Sequence, residues 1–186
     1  MKKMALSAVF LMLLFGSAAA HDGALSLYTD ATIQVCHMDI GSFESDTIRL
    51  YYVRDQGPDL GVGVEFRLEA SSVDALFLGV EWNAQINNTI GDIENGVSAV
   101  SAVCMGSNEN VVYIAAISLM YMGFGERFTV RVVENPTSEP PGIYIEPCAF
   151  PLPPKYAVLG GTFVFNGTCD PGVKETSWGA IKEMYR

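Results

Sequence analysis

"GVGVEFRLEA", residues 61–70, decides the fold class. Val62, Val64, Phe66, Leu68 and Ala70 alternate with Gly63, Glu65, Arg67 and Glu69, so an extended chain turns one face to a core and the other to water. "RFTVRVVE" (127–134) repeats the pattern with Phe128, Val130 and Val132 on the apolar side, and "TIRLYYVR" (47–54) with Ile48, Leu50 and Tyr52. "VVYIAAISLM" (111–120) is apolar on both faces, and its β-branched content reads as a central strand covered on both sides. Further strand candidates are "ALSLYT" (24–29), "TIQVC" (32–36), "LFLGVEW" (76–82), "VSAVSAVC" (97–104), "GIYIEPC" (142–148), "YAVL" (156–159) and "TFVFNG" (162–167).

Turn signals punctuate these runs: "RDQGPDLG" (54–61), "IGDIENG" (90–96), "MGSNEN" (105–110), "MGFGE" (122–126) and "NPTSEPPG" (135–142). Short strands separated in this way predict an all-β sandwich or barrel and exclude βαβ units. No repeat or long linker divides the chain. The Pro-rich "ENPTSEPPGIYIEPCAFPLPP" (134–154) reads as an extended crossover into a final unit closed by Cys148 and Cys169.

Residues 1–20 read as a signal peptide rather than as part of the fold. Lys2 and Lys3 precede an apolar core, "ALSAVFLMLLF" (5–15), and Ala18 and Ala20 supply the small residues of a cleavage site before His21. The apolar run is too short to span a bilayer. The expectation is therefore an exported chain, secreted, periplasmic or on the cell surface, with a sandwich domain over residues 21–172 and a tail over 173–186. With 11 basic against 21 acidic residues the sequence carries a net charge of −10, which disfavours nucleic acid and anionic membranes as partners.

All four cysteines, Cys36, Cys104, Cys148 and Cys169, lie in the exported part, which predicts two disulfides. There is no C-x-x-C, and the spacing matches no zinc motif. Of three connectivities the most local joins Cys148 to Cys169 and leaves Cys36 for Cys104.

No catalytic constellation emerges: G-x-S-x-G, H-E-x-x-H and phosphate-binding glycine loops are all missing. The chain is read as a non-enzyme without a cofactor. The rival reading is copper: cleavage before His21 would expose an amine and an imidazole able to chelate it, with His37 as a second imidazole. "CHMD" (36–39) groups soft ligands, but neighbours on a strand point to opposite faces, so no tight copper site is expected. A third reading is a carbohydrate-binding or carbohydrate-active module that uses Trp82 and Tyr51, or a carboxylate pair such as Glu65 and Glu69. The acidic loops "DIGSFESD" (39–46) and "IGDIENG" lack the spacing of a calcium loop. Asn87 and Asn166 stand in glycosylation sequons.

"GGTFVFNGTC" (160–169), preceded by "EPCAFPLPPKYAV" (146–158) and followed by "WGAIKEMYR" (178–186), resembles a group of uncharacterised secreted bacterial proteins. They share a signal peptide and a late Cys…GG-x-x-x-x-N-G-x-C unit, and some end in W-G-x-[IV]-K-x-x-Y-R. The resemblance implies a β-sandwich and export, and brings no catalytic residues. Strand pattern and spacing are also similar to cohesin-like and other immunoglobulin-like modules, which implies a single antiparallel sandwich of that kind.

The chain closes on "SWGAIKEMYR" (177–186), where Trp178, Ile181 and Tyr185 share one helical face. Thr176 or Ser177 can cap such a helix, and Lys182 and Arg186 suit its last turn. Ten residues do not hold a helix alone in water, so that face needs an apolar partner, either the sandwich itself or another molecule. The combined expectation is a β-sandwich with a short C-terminal helix that acts by binding or envelope assembly, through a protein or cell-surface partner or through self-assembly.

Overall fold

The computed structural model describes residues 23–30, 32–54, 61–105, 110–148 and 155–169. They form β1 (Gly23–Tyr28), β2 (His37–Met38), β3 (Glu44–Arg54), β4 (Gly61–Ala70), β5 (Ala75–Trp82), β6 (Ile86–Asp92), β7 (Gly96–Ser101), β8 (Val111–Tyr121), β9 (Phe128–Val133), β10 (Tyr144–Pro147), β11 (Tyr156–Ala157), β12 (Leu159–Gly160) and β13 (Thr162–Phe165). One sheet has five strands in the order β12-β1-β3-β8-β5. The other has eight, β11-β10-β4-β9-β13-β2, with β7 paired to β4 and β6 paired to β7.

"GVGVEFRLEA" is β4 from end to end. Its alternation is the reason: Val64, Phe66 and Leu68 are buried, whereas Arg67 is half-buried and Glu69 exposed. β10 pairs with Gly61–Glu65 and β7 with Gly63–Phe66, so the two must lie on opposite edges of β4. β9 takes over at Arg67–Ala70.

The inner faces meet in one core. Leu25, Ile48, Leu50, Ile114, Ile117 and Leu119 of the first sheet oppose Phe66, Leu68, Val130, Phe163 and Phe165 of the second. Burying a side chain of this size contributes about 1.5–3 kcal/mol. Tyr121, Phe128 and Phe165 stack in series, with ring centroids 4.7 and 4.6 Å apart, and so join β8, β9 and β13 across the sandwich.

The chain changes sheet within the Gly160–Gly161 pair. The Gly161 N–H donates to the Leu25 carbonyl (2.7 Å) and its own carbonyl accepts from the Val132 N–H (3.0 Å), so one residue bonds both layers. A Cβ on Gly160 would stand 2.0 Å from the Val132 carbonyl oxygen, which is why a glycine sits at this crossing.

Several expectations are corrected. Among the described residues no second layer covers the other face of β8, where Tyr113, Ala116, Ser118 and Met120 are half-exposed. "TIQVC" supplies no strand, since β2 begins at His37. β6 has no counterpart in the sequence pattern, because everything after Ile86 is exposed, Ile90 included. The sandwich is not purely antiparallel, because β12 runs parallel to β1 and β13 parallel to β2. Long intervening chain permits such pairings, which no tight turn could make. Among the described residues there is no helix, and none long and apolar enough to cross a membrane. The helix expected over the tail is not supported, and the signal peptide and the tail lie outside the described residues.

The disulfides are Cys36–Cys169 and Cys104–Cys148, and not the local pairing. β7 and β10 both run antiparallel to β4 and so end together beside its first residue, Gly61, where Cys104 and Cys148 meet. β13 pairs with β2, and the chain bends at Asn166 and Gly167 beyond β13 before Cys169 meets Cys36. The Pro-rich segment therefore leads into no self-contained Cys148–Cys169 unit.

Candidate functional site

The outer face of the five-stranded sheet carries the most unusual surface chemistry. The register sets Ser26, Tyr51 and Tyr113 in one row across β1, β3 and β8. Tyr28, Arg49, Ala116 and Glu81 form the next row, then Thr47, Ser118 and Gly79, then Ser45, Met120 and Leu76. Tyr28 and Tyr113 flank Tyr51 with ring centroids 6.3 and 5.6 Å away, and this packing leaves Tyr51 only 5% exposed. Arg49 is fixed beside them by donating from Nη1 to the Thr29 carbonyl. The Thr47 and Ser118 hydroxyls share a hydrogen bond at 3.3 Å in the middle of the face. At the far end Leu76 is 39% and Leu78 55% exposed, next to the half-exposed Met120. A bulge between Phe77 and Gly79 displaces Leu78 from the ladder.

The electrostatics keep the tyrosines neutral. Burial pushes the Tyr51 phenol above its ordinary value; Arg49 pulls the other way and Asp30 adds to the rise. Burial also raises Tyr113, helped by Glu81 and opposed by Arg49. Both phenols stay protonated at neutral pH, and the Tyr113 hydroxyl donates to the Glu81 carbonyl at 3.5 Å.

The residues singled out from sequence fall as follows. Tyr51 belongs to this face but is enclosed by its neighbours. Trp82 packs against the core at 6.3 Å from Phe66 and lines a groove of about 330 Å³ between β5 and β6, so the two form no exposed platform for a sugar. Glu65 and Glu69 are engaged separately. Glu65 accepts from Lys155 (2.8 Å) and from the Ser138 hydroxyl (2.5 Å), whereas Glu69 meets Arg131 at 3.0 Å. In "IGDIENG" the Asp92 carboxylate accepts from the Asn95 side chain and from the Asn95 and Glu94 N–H groups, which hold it below the usual carboxylate range. That loop is a β6–β7 hairpin tip.

Asn166 is half-buried and committed: its Oδ1 accepts from the Ile40 N–H (2.8 Å) and its Nδ2 donates to the Glu126 carbonyl (3.3 Å). Asn87 is exposed on β6. His37 is exposed, and its Nδ1 lies 3.7 Å from the Cys169 sulfur, so the sequence argument that divided His37 from the cysteines does not hold. His21 and the tail face of Trp178, Ile181 and Tyr185 lie outside the described residues. Sequence reasoning missed the tyrosine row because Tyr28, Tyr51 and Tyr113 come from three separate strands. The one available signal was the doubly apolar β8.

No protein-family model matches the chain, and no curated protein sequence does. Among solved structures the fold is similar to a cohesin module from a family 33 glycoside hydrolase of Clostridium perfringens, with a TM-score of 0.57 at 7% identity over 78% of this chain and 96% of that one. It is also similar to a chain of a type I cohesin–dockerin complex from Clostridium thermocellum, with a TM-score of 0.54 at 13% identity over 81% of this chain and 97% of that one. At these identities the likeness speaks for the fold alone, an all-β sandwich of the cohesin kind.

Proposed function

We propose that this protein is an exported, non-catalytic module that binds a protein partner through the outer face of its five-stranded sheet. The observation that carries the reading is the composition of that face. Three packed tyrosines and an arginine occupy one end of it and Met120, Leu76 and Leu78 the other, on a sheet with no second layer among the described residues. Interfaces concentrate their binding energy in aromatic residues and arginine set among apolar neighbours that exclude water. Tyrosine adds area and a hydrogen-bond donor at small entropic cost. One of the similar folds comes from a cohesin–dockerin complex, which supports a sandwich of this kind holding a second protein. The two disulfides support an oxidising compartment.

The test is affinity capture from the producing cell's own medium and envelope fractions, with wild type, Tyr113→Ala, Leu78→Asp and, on the other sheet, Arg131→Ala as bait. A defined partner held by wild type and Arg131→Ala, with affinity lower by roughly thirtyfold or more in the face variants, is expected for a hot spot. A partner held equally by all four, or turnover of an isolated ligand, overturns the reading. Concentration-dependent self-association lost in Leu78→Asp would make the partner a second copy.

A further inference from the structure

The Cys36–Cys169 disulfide differs from Cys104–Cys148 in having an imidazole beside it. The donor atoms of Cys36, His37 and Cys169 all lie within 4.8 Å of one another, and they are the one such group of three among the described residues. The backbone around Cys36 and His37, and that of the later chain as far as Asn166, is bonded independently of the disulfide. The Val164 N–H donates to the Cys36 carbonyl (3.0 Å), the Asn166 N–H to the Met38 carbonyl (3.0 Å) and the Ile40 N–H to Asn166 Oδ1 (2.8 Å). His37 sits opposite Val164 in the parallel β2–β13 pair, with its ring exposed. Opening the disulfide therefore leaves Cys36 and His37 on a framework that other bonds retain, with the Cys169 sulfur three residues beyond the bonded Asn166.

We infer that Cys36, His37 and Cys169 form a redox-gated site for a thiophilic divalent cation of the zinc class. In the oxidised protein the sulfurs bond one another and offer no thiolate. A dithiol reductant delivers two electrons and two protons to the S–S bond and is itself oxidised to a disulfide. The resulting thiols release two protons as the cation binds. Two thiolates and one neutral imidazole then supply three ligands and leave a fourth position to water. Two negative charges match the cation, and sulfur with imidazole is the donor set that selects zinc over calcium or magnesium. The cation recloses the long loop that the disulfide had closed.

The probe is Co(II), followed by Zn(II), added to the full chain after phosphine reduction, with the fold monitored by near-ultraviolet circular dichroism. One equivalent of Co(II) should bind with thiolate-to-cobalt charge-transfer absorption, and Zn(II) should raise the melting temperature of the reduced protein. His37→Ala should weaken binding by at least roughly tenfold, the lower bound known even for loss of an outer-shell partner. The Cys104→Ser/Cys148→Ser variant should bind as wild type does. Any of four results overturns the site: equal binding by the oxidised protein, no binding by the reduced one, unchanged affinity in His37→Ala, or binding that survives Cys36→Ser/Cys169→Ser. Binding only to a reduced chain that has lost its tertiary signal and does not regain it with metal also counts against it.

Discussion

Asn135 is fully buried and polar, and every polar atom of its side chain is used. Its Nδ2 donates to the Val97 carbonyl (3.2 Å), and its Oδ1 accepts from the Thr137 N–H (2.9 Å) and hydroxyl (2.7 Å). It thereby pins the chain leaving β9 to β7, across Gly96, where a Cβ would stand 2.2 Å from Oδ1. Asn135→Ala leaves those partners unsatisfied and should cost about 1–3 kcal/mol, measurable by urea unfolding at constant m-value. Like Asp92, Glu126 contributes to acid sensitivity. Its Oε2 accepts from the Tyr121 hydroxyl (2.6 Å) and the Phe124 N–H (3.0 Å), and the Tyr121 bond above all holds the carboxyl below its ordinary value. A group with a depressed folded-state pKa stabilises fully above its unfolded value, and that stability is lost as pH falls through the folded one. Glu126→Gln should therefore lose less stability than wild type when urea midpoints are followed from neutrality down through the glutamate range.

Among the elements, the sheet crossing and the two disulfides bear most directly on stability. Gly160→Ala presses a methyl group onto the Val132 carbonyl oxygen, and overpacking of this kind costs about 1–3 kcal/mol, to be read as a lowered thermal midpoint. Either disulfide should contribute about 2–4 kcal/mol by constraining the unfolded chain. Cys36–Cys169 spans 133 residues against 44 for Cys104–Cys148, so the Cys36→Ser/Cys169→Ser variant should melt lower than Cys104→Ser/Cys148→Ser. Equal melting points would mean that residual structure in the unfolded state outweighs loop length. β5 is the element most exposed to association. It is an edge strand, its Leu76 and Leu78 face solvent, and neither proline nor lysine occurs along it.

Taken as a whole, the sandwich has one core to which both sheets contribute, and β1 takes its second neighbour and β2 its described one from strands at the far end of the chain. Neither half can bury its apolar face alone, so unfolding should be a single transition. Calorimetric and van't Hoff enthalpies should agree for the oxidised protein, and a resolved second transition would refute the single core. Pairings this distant in sequence also make refolding slow for the chain length. The negative charge of the whole molecule predicts faster association with a basic partner at low salt.

The sequence by itself determined the all-β class, because side-chain alternation follows from backbone geometry and needs no knowledge of neighbours. β4, β9 and β13 lie close to where their patterns put them. It also carried the even cysteine count, though not the pairing. What brings Cys36 to Cys169 is the pairing of β13 with β2, more than a hundred residues away, together with the bend that follows β13, and local spacing holds no information about either. β6 escaped because a solvent-facing strand has no hydrophobic period to read. The candidate face was half legible: the doubly apolar β8 signalled burial on both sides, yet one side remained open. Tyr28, Tyr51 and Tyr113 became neighbours only when β1, β3 and β8 took their register, since a sheet face is built across strands while a sequence runs along them.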